Sequence, residues 1–154
     1  MCADHNTYTR VSDIIKNHYA QLKEIFITAT IKFGYPPDFS KDAVYKFLEM
    51  TGMIDGKVLH RGIVDTYFKA ANYESVDSLH NDDTALCRFE FLEFICRIAK
   101  AKLFDTGIVD YLSVAVLRLF NVYILPMRNN LITWQAWREE ELWCREVDEE
   151  LEVN

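Results

Sequence analysis

Carboxylate and amide side chains that could bind a hard cation cluster near the middle of the chain. Asn81, Asp83 and Glu90 have the spacing of the third, fifth and twelfth positions of a twelve-residue calcium-binding loop, whose ligands are oxygens. Leu79 falls at the first ligand position, where it offers no oxygen, and Thr84 replaces the glycine that the sharp turn requires. The sequence therefore predicts the shape of such a loop while arguing against its chemistry.

The full set of candidate metal ligands is Asn72, Asp77, Asn81, Asp83 and Glu90. The alternative is a solvated polar loop in which the Glu90 carboxylate accepts hydrogen bonds from backbone amides. Because the first ligand and the glycine are lost, we expect no cofactor, and bound calcium is the competing interpretation.

Other chemistries find less support in the sequence. His5, His18, His60 and His80 lack the spacing of zinc ligands. Phosphate-binding glycine loops, nucleophile elbows and zinc-protease motifs are not found. We expect that the protein is not an enzyme.

Composition and charge favour a helical domain that binds neither nucleic acid nor anionic membranes. The 154 residues are 50% hydrophobic and include only 5 Gly and 3 Pro, which suits helices better than a turn-rich β fold. The net charge is −7, and residues 138–154 hold eight acids and two bases, or −6 of that total. The other residues therefore carry −1 and provide no excess of basic residues to neutralise phosphates.

Four cysteines without CxxC spacing, and no signal-peptide pattern, indicate free thiols and a cytoplasmic location. The most apolar segment, residues 108–127, is interrupted by Asp110, Arg118 and Asn121. Since a membrane span needs about 20 apolar residues, we expect a central core helix here instead.

Hydrophobic periodicity predicts six helices. The first spans roughly 11–32 and ends before two prolines; the second follows a Ser40 cap; the third ends near residue 71. The fourth spans about 87–101, with Phe89 expected on its buried face. The fifth is the core helix, and the last opens at Thr133.

The order of these helices resembles a pair of EF-hands, as in calmodulin-like proteins. Phe39 and Leu86 stand where each hand places the apolar residue at position eight of its loop, just before an exit helix. The resemblance covers residues 11–101, and it implies that these two residues lie side by side on short antiparallel segments. The first loop offers Asp38 as its one carboxylate, and the second runs 19 residues from Asn72 to Glu90. Such ligand-poor loops look like the degenerate EF-hands of ciliary and cytoskeletal proteins.

We therefore predict an all-α fold, with an N-terminal tail (1–10), a degenerate EF-hand-like pair (11–101) and two C-terminal helices packed on the same domain (102–154). The function that this implies is a calcium-independent protein-interaction or scaffold module in a cytoskeletal or axonemal assembly. The alternative is a calcium sensor that binds a partner helix when loaded. The candidate partner-binding residues, which would contact a helix or a basic surface, are Trp134, Trp137, Trp143, Glu139, Glu140 and Glu149.

Overall fold

A computed structural model describes residues 5–34, 36–73, 84–131 and Arg138. Five α-helices carry the described part of the chain: α1 (His5–Phe33), α2 (Lys41–Met50), α3 (Arg61–Ala71), α4 (Arg88–Ala99) and α5 (Leu112–Leu119). Two short strands, β1 (Phe39–Ser40) and β2 (Ala85–Leu86), stand immediately before α2 and α4. The all-α class expected from the sequence is confirmed.

Two of the helices continue in other helical forms. A π-helical turn (Lys100–Phe104) extends α4, and a second one (Phe120–Ile124) extends α5 into a 3-10 segment (Leu125–Asn129). The predicted core helix over 108–127 therefore begins later, at Leu112. Gly107, with φ of 72°, lies in the turn that separates the two helical stretches.

Local sequence explains most of the boundaries. The predicted Ser40 cap is confirmed, because its hydroxyl accepts a hydrogen bond from the Ala43 amide at 3.4 Å. Gly52 and Gly56, both with positive φ, form the turn between α2 and α3. The first helix, by contrast, begins at His5 rather than near residue 11. Its first turns hold polar residues and the exposed Tyr8, so no buried stripe marked them as helical.

One core joins all five helices. It contains Phe26 of α1, Phe47 of α2, Phe68 of α3 and Ile95 of α4, as expected from their stripes, with Leu92 partly buried against it. The helix α5 and its extension add residues that are fully buried in the same core: Ala115, Val116, Leu119 and Phe120.

Candidate functional site

The two strands bring the predicted loop positions together. Phe39 pairs with Leu86 in an antiparallel register, Ser40 pairs with Ala85, and both Phe39 and Leu86 are completely buried. The Phe39 ring lies 5.8 Å from the ring of Phe47, in an edge-on arrangement. The prediction that Phe39 and Leu86 lie side by side is confirmed, and this pairing fixes where α2 and α4 begin.

The Glu90 carboxylate is used by the fold itself. Glu90 is 2% exposed, and its Oε2 accepts a hydrogen bond from the Cys87 amide at 2.8 Å, across the start of α4. A carboxylate at the third position of a helix satisfies an amide that has no partner within the helix. This contact is the one expected if Glu90 is a structural residue.

Of the other candidate metal ligands, the structure describes Asn72. Asn72, at the end of α3, is 6% exposed, and its backbone N–H donates to the Phe68 carbonyl at 2.9 Å. Asp77, Asn81 and Asp83 lie outside the described residues. Within the described ranges, no three His, Cys, Asp or Glu side chains are grouped to hold a metal ion.

The helix α5 packs against α1 and α4, and the 3-10 segment that follows it packs against α1. Phe120 is fully buried, and the His18 ring of α1 meets it edge-on at 5.8 Å. Farther along, Arg128 Nε lies 3.0 Å from Glu24 Oε2, and Lys32 Nζ donates to the Asn130 carbonyl at 2.9 Å. These polar contacts hold the chain after α5 along α1.

A second polar contact, which the sequence reasoning missed, ties the α2–α3 turn to the extension of α4. Lys102 Nζ donates to Asp55 Oδ2 at 2.6 Å and to the Met53 carbonyl at 2.9 Å. Asp55 Oδ1 accepts from the amides of Lys57, Val58 and Leu59. Partial burial alone would raise the pKa of Asp55, but the hydrogen bonds from the Lys102 ammonium and the backbone amides outweigh it and hold that pKa well below its usual range.

The sequence carried one signal for this contact. Asp55 precedes Gly56 in a turn, as expected of a carboxylate that accepts from nearby amides. No local pattern could identify Lys102 as its partner, because 47 positions separate the two residues.

The buried face of α4 differs from the prediction. Phe91, Phe94, Ile95 and Ile98 are fully buried, whereas Phe89 is 68% exposed. The placement of Phe89 in the core was wrong. Every apolar residue near the helix start was a candidate, and because Phe91 is buried, Phe89, about 200° away around the helix, faces outward.

An open groove of about 310 Å³ results between α1 and the start of α4. Its lining includes Tyr19 from α1 and Arg88, Phe89 and Leu92 from α4, with Cys87 at the end. The Arg88 guanidinium lies 5.8 Å from the centre of the Tyr19 ring, within the range of a cation–π contact. A second open cavity of about 300 Å³ lies further along α1, beside Lys23, Glu24 and Ile27.

The core helix α5 and its extension also expose apolar side chains. Val114 is 45% exposed, Val122 is 54% exposed, and Tyr111, just before the helix, is 62% exposed. The prediction of a central core helix is therefore correct for the face that packs against the domain and wrong for the face that is exposed.

Cys87 and Cys96 are free thiols, as the sequence indicated. Burial is the main cause that raises the pKa of Cys87 to about 11 and that of Cys96 to about 12. Both thiols are therefore neutral at physiological pH, which argues against either acting as a nucleophile.

The predicted partner-binding residues of the C-terminal segment lie outside the described residues and remain a prediction: Trp134, Trp137, Trp143, Glu139, Glu140 and Glu149. Among the helices that the structure describes, none is long and apolar enough to cross a membrane. Comparisons with protein-family models, with curated proteins and with solved structures find no match for this chain.

Proposed function

We propose that this chain is a non-catalytic protein-interaction module, built on a degenerate EF-hand-like pair whose function does not require calcium. The proposal includes a cytoplasmic setting in a larger assembly of the cytoskeletal or ciliary kind. The observation that carries it is the position of α5. A calcium sensor works by exposing an apolar groove when the ion binds, but here α5 already packs against α1 and α4.

The geometry of Glu90 supports the same proposal. Its carboxylate is committed to the Cys87 amide at 2.8 Å, so binding an ion in bidentate fashion would compete with a contact that begins α4. The first loop offers Asp38 as its one carboxylate, and the hydroxyl of Ser40 caps α2. In both hands the residues next to the exit helix serve the fold.

The competing proposal is a calcium sensor that binds a partner helix when loaded. One observation favours it: Asn72 and Glu90, at the two ends of the long second loop, are both buried, at 6% and 2% exposure. Buried oxygens at both ends of a loop would suit a bound cation. The two proposals differ in whether calcium stabilises the folded protein.

Thermal melting with and without millimolar calcium, together with isothermal titration, separates the two. A ligand present at 100 times its dissociation constant adds about 2.7 kcal/mol to the free energy of unfolding, or about 5 to 10 °C for a domain of this size. We expect no such shift and no heat of binding at micromolar calcium.

The matched control is Glu90→Gln, in which the amide oxygen can still accept from the Cys87 amide while the charge needed for an ion is removed. If calcium raises the melting temperature of the natural chain by several degrees and this variant loses the effect, the site is functional. The sensor would then replace the constitutive module as the proposed function.

A further inference from the structure

Exposed aromatic side chains line the groove between α1 and the start of α4, and the helices that carry them are packed into the core. Phe89 is 68% exposed and Tyr19 is 40% exposed. Their helices are fixed below them by fully buried residues, including Phe91 and Leu22. Aromatic residues presented on rigid elements supply large contact area at low entropic cost, and such residues are enriched in binding hot spots.

The charge around this groove is positive although the whole chain is acidic. Lys16 and Lys23 lie one turn to either side of Tyr19 on α1, and Arg88 lies over the Tyr19 ring. Among the described residues, no carboxylate forms an ion pair with Arg88 or Lys23, and Lys16 meets Asp13 at 3.8 Å on an exposed surface. The nearby acids have basic partners of their own, since Glu24 contacts Arg128 and Glu93 contacts Arg97.

The shape of the surface suits an elongated partner. The groove at Tyr19 and the second cavity at Ile27 both lie along α1, eight residues apart, which is about 12 Å of helix. Two apolar anchors about two helical turns apart on a partner helix would span the same distance. A partner with acidic residues beside those anchors would meet Lys16, Lys23 and Arg88.

We propose that this groove docks an acidic amphipathic helix of a partner protein, with Phe89 and Tyr19 as the apolar contacts and Arg88 as the charged one. The proposal rests on the proposed function as an interaction module and names its surface and the chemistry of its partner. Charge complementarity of this kind raises the association rate and makes binding sensitive to salt.

Fluorescence anisotropy on the full chain tests the proposal with two synthetic helical peptides. Both carry leucines along one face; the probe has glutamates on the other face, and the control peptide has lysines there. We expect the glutamate peptide to bind and the lysine peptide not to bind, with an affinity that falls as salt is added. Failure of the glutamate peptide to bind, or equal binding of the two peptides, would overturn the proposal.

Variants locate the site. Phe89→Ala should weaken binding by about tenfold or more, as loss of a hot-spot residue does, and Arg88→Glu should weaken it most at low salt. The matched controls are Tyr111→Ala, an equally exposed aromatic before α5, and Lys46→Glu, the same charge change on α2. If the controls weaken binding and the groove variants do not, the site lies elsewhere and the proposal fails.

Two further measurements distinguish a partner helix from a second copy of the chain, and this proposal from the proposed function. Sedimentation of the full chain asks whether a second copy occupies the groove, because a dimer that Phe89→Ala dissociates would overturn the assignment to a partner helix. Repeating the titration in calcium and in EDTA separates this proposal from the proposed function. Binding that requires calcium would refute the calcium-independent module while keeping the groove; absence of binding in both would refute the groove alone.

Discussion

Removing either member of the Asp55–Lys102 pair should destabilise the protein by different amounts. The Lys102 side chain is 10% exposed and that of Asp55 is 35% exposed. In Lys102→Met, water can rehydrate the partly exposed carboxylate, and its three backbone hydrogen bonds remain. Since solvent also screens such a pair, we expect a loss of about 1 to 2 kcal/mol.

Asp55→Ala should cost more, about 3 to 4 kcal/mol, because it leaves a buried ammonium without its counter-charge. The Met53 carbonyl is then the acceptor that remains for Lys102, and the amide of the buried Leu59 loses its acceptor as well. Urea unfolding at neutral pH measures both losses, as a lower midpoint with an unchanged slope. The reasoning is refuted if Lys102→Met is as costly as Asp55→Ala.

The pH dependence provides a second test of the same contact. The pKa of Asp55 is lower in the folded protein than in the unfolded chain, so its contribution is complete above the unfolded value and is lost as the pH falls towards the folded one. The stability difference between the natural chain and Asp55→Asn should therefore be constant above about pH 5 and shrink below about pH 4. A difference that grows on acidification would contradict this sign.

Two further predictions concern the core and the thiols. Phe39→Ala should lower the free energy of unfolding by about 3 to 5 kcal/mol, since the ring is completely buried. Phe89→Ala should change it by less than about 0.5 kcal/mol. Similar losses for the two variants in urea unfolding would show that the buried and exposed faces are wrongly assigned. With Cys2 and Cys144 replaced by serine, iodoacetamide should alkylate the folded chain at about pH 8 at least ~100-fold more slowly than the unfolded chain, because burial raises both remaining thiol pKa values. Equal rates in mass spectrometry would show that the thiols are open to solvent.

The sequence was most informative at the Phe39–Leu86 pair and at the Ser40 cap. The resemblance to a pair of EF-hand loops, in which the apolar residue of each loop precedes an exit helix, predicted that Phe39 and Leu86 pair, and the structure confirms it. Ser40 was recognised as a cap by residue type and position alone. The cap follows from a local rule, whereas the pairing joins two distant parts of the chain and was predicted from the resemblance.

The errors arose where several patterns fitted equally well. The start of α4 is apolar at Phe89, Phe91, Leu92 and Phe94, so periodicity alone could not choose the buried face. In the structure Phe91 faces the core, and Phe89, which lies two positions earlier and about 200° away around the helix, therefore faces outward. Likewise residues 108–127 are the most apolar segment, which predicted a central core helix, yet Val114 of α5 and Val122 of its extension are exposed.

The distribution of aromatic residues separates what stabilises this protein from what could bind a partner. Phe39, Phe47 and Phe91 pack against one another with ring centres 5.6 to 6.0 Å apart, and all three are completely buried. Phe89 makes no ring contact among the described residues, and more than half of its surface is exposed. Because its removal should leave the fold intact, loss of binding in Phe89→Ala would measure recognition alone. Stability and recognition can therefore be changed independently, with Phe91 and Phe89 only two positions apart on the same helix.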